Sequence, residues 1–238
     1  MSEIRTVAET DDWAVIEKPH GLPSAPLEEG EAETALSIFI ASCPEADSVR
    51  GKKPVERGLL HRLDTGTRGL ILIAKTQSSY DSLERAQQDG LIRKGYLAFC
   101  DAGESSRPPQ VPYTIISAFR PFGPGRREVR PVFPGQRGFD EGDRLYRTDV
   151  TEITLRDGVA TIVCELVRGY RHQVRSHLAH LGYPIQGDPL YNDRDRERSE
   201  SGEDIGPLQL HAIALSFPDP RTKDPVSVSL PRPSKTSR

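Results

Sequence analysis

Gly58-Leu59-Leu60-His61-Arg62-Leu63-Asp64-Thr65-Gly66-Thr67-Arg68-Gly69-Leu70-Ile71-Leu72-Ile73-Ala74-Lys75 sets one carboxylate, Asp64, among His61, Arg62, Arg68 and Lys75. A loop with two glycines then feeds an apolar run too short to be anything but a buried strand. A carboxylate in cationic surroundings at the mouth of a strand is more often chemical than structural.

Outward from this segment, residues 13–17 read as a strand, halted by the turn-rich Lys18-Pro19-His20-Gly21-Leu22-Pro23. Ala35–Ser42 is apolar at helical spacing behind Thr34 as N-cap. Residues 78–89 form a polar helix that Ser78 or Ser79 caps and Gly90 ends. Residues 92–100 are a strand with Lys94 and Tyr96 on one face. Residues 103–143, rich in Pro, Gly and Arg, predict short strands around an exposed basic hairpin or loop. Residues 145–155 and 159–167 predict a hairpin turned at Asp157-Gly158. Residues 171–181 predict a helix with the apolar stripe Val174, Leu178 and Leu181, ended by Gly182. Residues 192–203 read as a charged loop, and 208–217 and 226–230 as the last strands. Strands outnumber helices and often follow one another directly. The class is therefore α+β with a mostly antiparallel mixed sheet, flanking helices and loops, in a single domain over residues 1–238.

Length and composition narrow the function. At 238 residues the chain can bury one large core or two modest ones. No stretch approaches the ~20 apolar residues needed to span a bilayer, and the first residues lack a signal-peptide pattern. Cys43, Cys100 and Cys164 are widely spaced and odd in number. That argues against a disulfide framework or zinc site and for the cytoplasm. Net charge is −3, yet charge is unevenly spread. Residues 1–47 carry eleven acids against Arg5 and Lys18, whereas residues 50–75 carry seven bases against Glu56 and Asp64. Arg168, Arg171 and Arg175 form a second, acid-free cluster. Local patches rather than net charge bind polyanions.

Asp64, Tyr96 in Lys94-Gly95-Tyr96-Leu97-Ala98, and Arg175 in Gly169-Tyr170-Arg171-His172-Gln173-Val174-Arg175 stand out together. On a helix Arg171, His172 and Arg175 would share roughly one face. Here the chain resembles the RluA family of pseudouridine synthases. The pattern His-Arg-Leu-Asp-x-x-Thr-Ser-Gly-Leu-Leu-Leu-x-Ala-Lys is matched by residues 61–75, with Arg68 where Ser is usual. Gly-Arg-Thr/Ser-His-Gln-Ile/Leu-Arg-x-His-Leu is matched by 169–178, with Tyr170 and Arg171 in place of Arg-Thr. Residues 182–191, Lys18-Pro19-x-Gly21-Leu22 and Leu210-His211-Ala212 extend the likeness over about 7–230.

The resemblance implies the pseudouridine-synthase catalytic fold with a central RNA-binding cleft, and a stand-alone catalytic domain without the small basic domain that precedes it in many relatives. It implies isomerisation of uridine in structured RNA, rRNA or tRNA; a monomer that needs no cofactor, metal or membrane is the accompanying expectation. It makes Asp64 the catalytic aspartate, Tyr96 the ring packed on the target base and Arg175 the ion-pair partner of Asp64. Arg62 would fill the place of the flipped base. Arg68, His61, Lys18, Arg171, His172 and Gln173 would line the RNA surface.

Plainer readings stand beside these. Tyr96 alone is a half-buried strand aromatic, and Arg175 alone a helix surface charge. Asp188 braces the loop after the helix. The histidines lack metal-ligand spacing. Two other functions remain to be tested: an RNA-binding or RNA-folding protein with vestigial catalysis, and an N-glycosidase using Glu56 as a second acid.

Overall fold

The computed structural model describes residues 3–28, 33–103 and 108–234. In chain order the strands and helices are β1 (Arg5–Glu9), β2 (Trp13–Lys18), α1 (Ala35–Ser42), β3 (Arg68–Ala74), α2 (Gln77–Gln88), β4 (Arg93–Asp101), β5 (Tyr113–Phe122) and β6 (Glu128–Val132). They continue with β7 (Tyr146–Arg156), β8 (Val159–Leu166), α3 (Gln173–His180), α4 (Asp193–Glu200), β9 (Leu210–Pro218) and β10 (Pro225–Ser229). The class is α+β, with antiparallel pairing dominant. Backbone contacts gather into two compact units, Met1–Lys94 with His211–Pro233, and chiefly Gly95–Leu210. Among the described residues no helix is long and apolar enough to cross a membrane.

In the first unit β1, β2 and β3 pair antiparallel in that order, and β10 pairs antiparallel with β9. β3 and β9 pair in parallel through Arg68↔His211 and Gly69↔Ala212. Every residue of β2 is buried, and β3 is buried from Gly69 onward, so the apolar run after the Asp64 loop is a core strand. Gly69 permits the parallel contact: its φ is +134°, and a Cβ there would lie 2.2 Å from the Ala212 carbonyl oxygen. The core beneath collects Trp13, Val15, Leu70, Leu72, Tyr80, Leu83, Leu215 and Phe217. The Trp13 ring meets Phe217 edge-on at 5.0 Å, and its indole N–H donates to Asp219 at 2.8 Å.

In the second unit the strand order is β4-β8-β7-β5-β6. The β7–β8 hairpin turns at Asp157-Gly158 as the sequence predicts, with positive φ at both (51° and 70°). β5 runs ten residues and pairs with β6 around the basic turn. Helix α3 packs on β6 and β7.

Three boundaries depart from the sequence pattern. Helix α2 starts at Gln77, because the Thr76 side chain, not Ser78 or Ser79, accepts the Ser79 N–H. Helix α3 starts two residues late, because His172 is left-handed (φ 55°, ψ 19°) and turns the chain into the helix. Arg171 and His172 therefore lie outside it, and the shared helical face with Arg175 does not form. Residues 193–200, which the pattern leaves as a loop, form α4. Lacking an apolar stripe, it is held by the Asn192 cap, an Arg196–Asp193 pair at 2.8 Å and buried Asp195, which accepts the Gly187 N–H at 2.6 Å.

Candidate active site

Asp64 stands half-buried on the loop that enters β3, and its carbonyl accepts the Thr67 N–H at 2.9 Å to close a turn. The loop is clamped from one side by residues 18–24. Lys18, at the end of β2, is fully buried. Its ammonium donates to the carbonyls of Pro19 at 2.9 Å, Leu22 at 2.7 Å and Thr65 at 3.0 Å. The Gly21 N–H also reaches Thr65 O at 3.0 Å, and His20 Nδ1 lies 2.7 Å from Gly66 O. The Ser24 hydroxyl donates to Leu63 O at 2.7 Å and accepts the Leu63 N–H at 3.0 Å. Leu63, Thr65 and Gly66, which bracket Asp64, are thus each bonded to the neighbouring loop. The backbone under the carboxylate is fixed before any ligand arrives.

Burial pulls the Lys18 pKa down to about 8, while the Asp64 charge opposes that pull. Its three donors are occupied by carbonyls and its surface is lost. Lys18 is therefore a brace for the Asp64 loop, which corrects the expectation that it lines an RNA surface. His61 is likewise structural. Its Nε2 accepts the Leu72 N–H at 3.2 Å, which leaves the proton on Nδ1. Burial, helped by the Lys94 charge, pushes its pKa well below the ordinary value, so it carries no charge for a phosphate. Arg62 is exposed and donates to Glu56 at 3.0 Å, which engages the one nearby acid a glycosidase reading would use. Arg68 and Arg5 share Glu17, at 2.7 Å and 2.6 Å. Burial raises the Glu17 pKa, but the bonds from both guanidiniums outweigh it and hold the carboxyl below its ordinary value. Arg62 and Arg68 are exposed yet already carry carboxylate partners.

The remaining expected residues lie in the second unit. Tyr96 is buried on β4. Arg175, in the first turn of α3, is buried and forks onto Asp188: Nε to Oδ2 at 2.7 Å and Nη2 to Oδ1 at 2.8 Å. Asp188, fully buried, also accepts the Leu190 and Tyr191 N–H groups at 3.1 Å and 3.3 Å. It braces the loop, as the sequence suggests, and in addition aims Arg175. The Tyr191 ring lies 5.2 Å from the guanidinium carbon, and its hydroxyl accepts the Val129 N–H at 2.7 Å and meets His172 Nδ1 at 3.0 Å. Gln173 is buried and donates to Arg147 O and Thr148 Oγ1, both at 2.9 Å, while accepting the Tyr170 N–H at 2.9 Å. It fixes the start of α3 rather than facing RNA. Arg171 is exposed and donates to Arg126 O at 2.7 Å.

Ser24, Glu17 and the Asp188 fork escape sequence reasoning. The first two are single polar residues without spacing to mark them. The sequence marks Asp188 as a brace for the loop, but nothing in its spacing marks Arg175 as its partner.

A family profile described as RNA pseudouridylate synthase matches residues 12–180. The chain belongs to the RNA pseudouridylate synthase family. It is 29% identical over 244 residues to ribosomal large subunit pseudouridine synthase D of Neisseria meningitidis, across 96% of this chain and 58% of that protein. It is 32% identical over 190 residues to ribosomal large subunit pseudouridine synthase C of Escherichia coli, across 78% of this chain and 56% of that protein. The chain thus spans less than two thirds of the length of these curated relatives. The fold is similar to human RNA Pseudouridylate Synthase Domain Containing 1, with a TM-score of 0.71 at 24% identity over 98% of this chain and 84% of that one. Within the pseudouridylate synthase match lie both clamped loops, Tyr96 and Arg175; Asp188 falls just beyond it.

Proposed function

We propose that this chain is an RNA pseudouridine synthase that isomerises one or a few uridines in structured RNA. The names of the two bacterial relatives favour ribosomal RNA over tRNA as its substrate. The observation that carries this reading is the Asp64 loop: a half-buried carboxylate on a backbone fixed by Lys18, Gly21, His20 and Ser24, inside the matched region.

In the isomerisation the C1′–N1 bond of uridine breaks, the uracil turns, a C1′–C5 bond forms and the proton on C5 is exchanged for one on N1. Nothing is oxidised and no water is consumed. One carboxylate kept ionised suffices to attack or stabilise a sugar or base carbon, and we assign this to Asp64. Tyr96 is the ring that stacks on the flipped uracil, a contact worth roughly 1–3 kcal/mol against the few kcal/mol that unstacking costs. Arg175 is the cation of the proposed site, and Asp188 fixes its orientation. The test is pseudouridine mapping of rRNA and tRNA in cells with and without the gene, complemented by wild type and by Asp64→Asn. The expected result is loss of specific pseudouridines on deletion, restored by wild type alone. Full restoration by Asp64→Asn would overturn the assignment, and unchanged pseudouridines on deletion would favour a vestigial RNA-binding protein.

A further inference from the structure

The two positions at which the sequence departs from the family pattern before α3, Tyr170 and Arg171, build one surface of the second unit. The Tyr170 ring lies stacked on Phe119, with centroids 4.9 Å apart and planes 4° from parallel. Tyr146 packs against both, at 5.0 Å from Tyr170 and 5.8 Å from Phe119. Phe119 is buried, whereas Tyr146 and Tyr170 are half-exposed. Neither tyrosine hydroxyl bonds another described residue, so these rings are not held by their polar ends as buried tyrosines usually are. The layer below is rigid: Phe119 also contacts His177, whose ring nitrogens are taken by Ser117 at 2.8 Å and Thr148 at 2.9 Å.

Charge beside this aromatic layer is selective. Arg120 and Arg147 follow Phe119 and Tyr146 in sequence but are neutralised by Asp143 and Asp149. Arg171, which follows Tyr170, is different: its guanidinium donates only to the carbonyls of Arg126 at 2.7 Å and Glu128 at 3.3 Å, and its charge meets no carboxylate among the described residues. Those bonds tie the exposed turn bearing Arg126 and Arg127 to the residue next to Tyr170. A half-exposed flat ring beside uncompensated guanidinium charge suits a base and its phosphate.

We propose that Tyr170 and Tyr146, backed by Phe119, form a stacking shelf for an unpaired nucleobase of the substrate RNA, with Arg171 and Arg126 facing its phosphate. The proposal rests on the reading of the chain as an RNA enzyme. It adds a subsite that selects single-stranded nucleotides flanking the target.

The probe is a fluorescein-labelled single-stranded RNA decamer of mixed sequence containing 5-iodouridine, used with the full chain. Irradiation should cross-link the RNA to Tyr170 or Tyr146, mapped by mass spectrometry. Tyr170→Ala should weaken decamer binding about tenfold, and Tyr170→Phe by less than about twofold. Binding of the same sequence as a duplex, whose bases are already stacked, should change little. Cross-links confined to other residues, or unchanged decamer affinity in a folded Tyr170→Ala chain, would overturn the shelf. If Tyr170→Ala does not fold, the cross-link map of the unsubstituted chain decides alone. Pseudouridine formation without a cross-link at either tyrosine sinks only the shelf. Cross-linking at Tyr170 together with unchanged cellular pseudouridines on deletion of the gene sinks the proposed activity and leaves the shelf standing.

Discussion

Asp64 and Asp188 are held in opposite ways. Around Asp64 the constraint falls on backbone: Lys18, Gly21, His20 and Ser24 bond to Leu63, Thr65 and Gly66, while the carboxylate-bearing residue stays half-exposed. Around Asp188 the constraint falls on the carboxylate itself, which is fully buried and accepts Arg175 and two backbone N–H groups. A carboxylate kept for chemistry needs a fixed position and an approachable side chain. One kept for architecture spends its lone pairs on neighbours and gains nothing from exposure. The two acids should therefore fail differently.

Asp64→Asn should reduce pseudouridine formation by several orders of magnitude, measured on an rRNA substrate, while leaving the urea midpoint of unfolding essentially unchanged. Asp188→Asn should do the reverse in kind. It removes the carboxylate charge from beside a buried guanidinium, and chemical denaturation should show a loss of about 3–5 kcal/mol. Activity at low temperature should fall only as far as Arg175 loses its aim. If Asp188→Asn is as stable as wild type, the contrast between the two acids breaks.

Lys18→Met probes the clamp and also removes the ammonium charge that Asp64 acts on. The thioether keeps the packing but leaves the carbonyls of Pro19, Leu22 and Thr65 without their common donor. The removed ammonium was itself costly to bury, since its pKa is drawn down to about 8. The net stability loss should accordingly be modest, about 2 kcal/mol. Turnover should fall more, about 10–100-fold, because a displaced loop moves the carboxylate by fractions of an ångström. Equal activity in Lys18→Met would show that the clamp serves folding alone.

Much of this was legible in the sequence, and what was not has physical reasons. The period-two and period-3.6 patterns gave β2, β3, β4, α1 and the β7–β8 hairpin because those elements bury one face or both. Helix α4 has no apolar face, so its capping and its i,i+3 ion pairs leave no periodic trace. The left-handed His172 that delays α3 leaves no periodic trace; it accompanies tertiary bonds of His172 to Tyr191 and of Gln173 to Arg147 and Thr148. At the site, residue types marked Asp64 and Arg175, but solvent exposure is a property of the fold. Lys18, His61 and Gln173 are expected at the RNA surface because the family resemblance implies it. Here each is tied to backbone instead: the Lys18 ammonium to three carbonyls, His61 Nε2 to the Leu72 N–H, and Gln173 to Arg147 O and the Tyr170 N–H.

The smallest effect separates the two units by pH. His177, in the unit of Asp188, is fully buried between Ser117 and Thr148, and burial pushes its pKa down to about 3. In the unfolded chain it titrates near 6.5, so between those values the unfolded state binds the extra proton. Stability is whole above about pH 6.5 and declines as pH falls toward 3, by about 2 kcal/mol at pH 5. His211, in the unit of Asp64, is pushed to about 4 mainly by burial, with the His20 and Arg68 charges adding to it, and contributes a decline of the same sign. His177→Gln retains a donor and an acceptor for the two hydroxyls and cannot titrate. Amide hydrogen exchange at pH 7 and pH 5 should show the second unit losing protection in wild type and much less in His177→Gln. Protection in the first unit should still decline, because His211 is untouched. An unchanged acid response of the second unit in His177→Gln would mean that groups other than His177 govern its stability in acid.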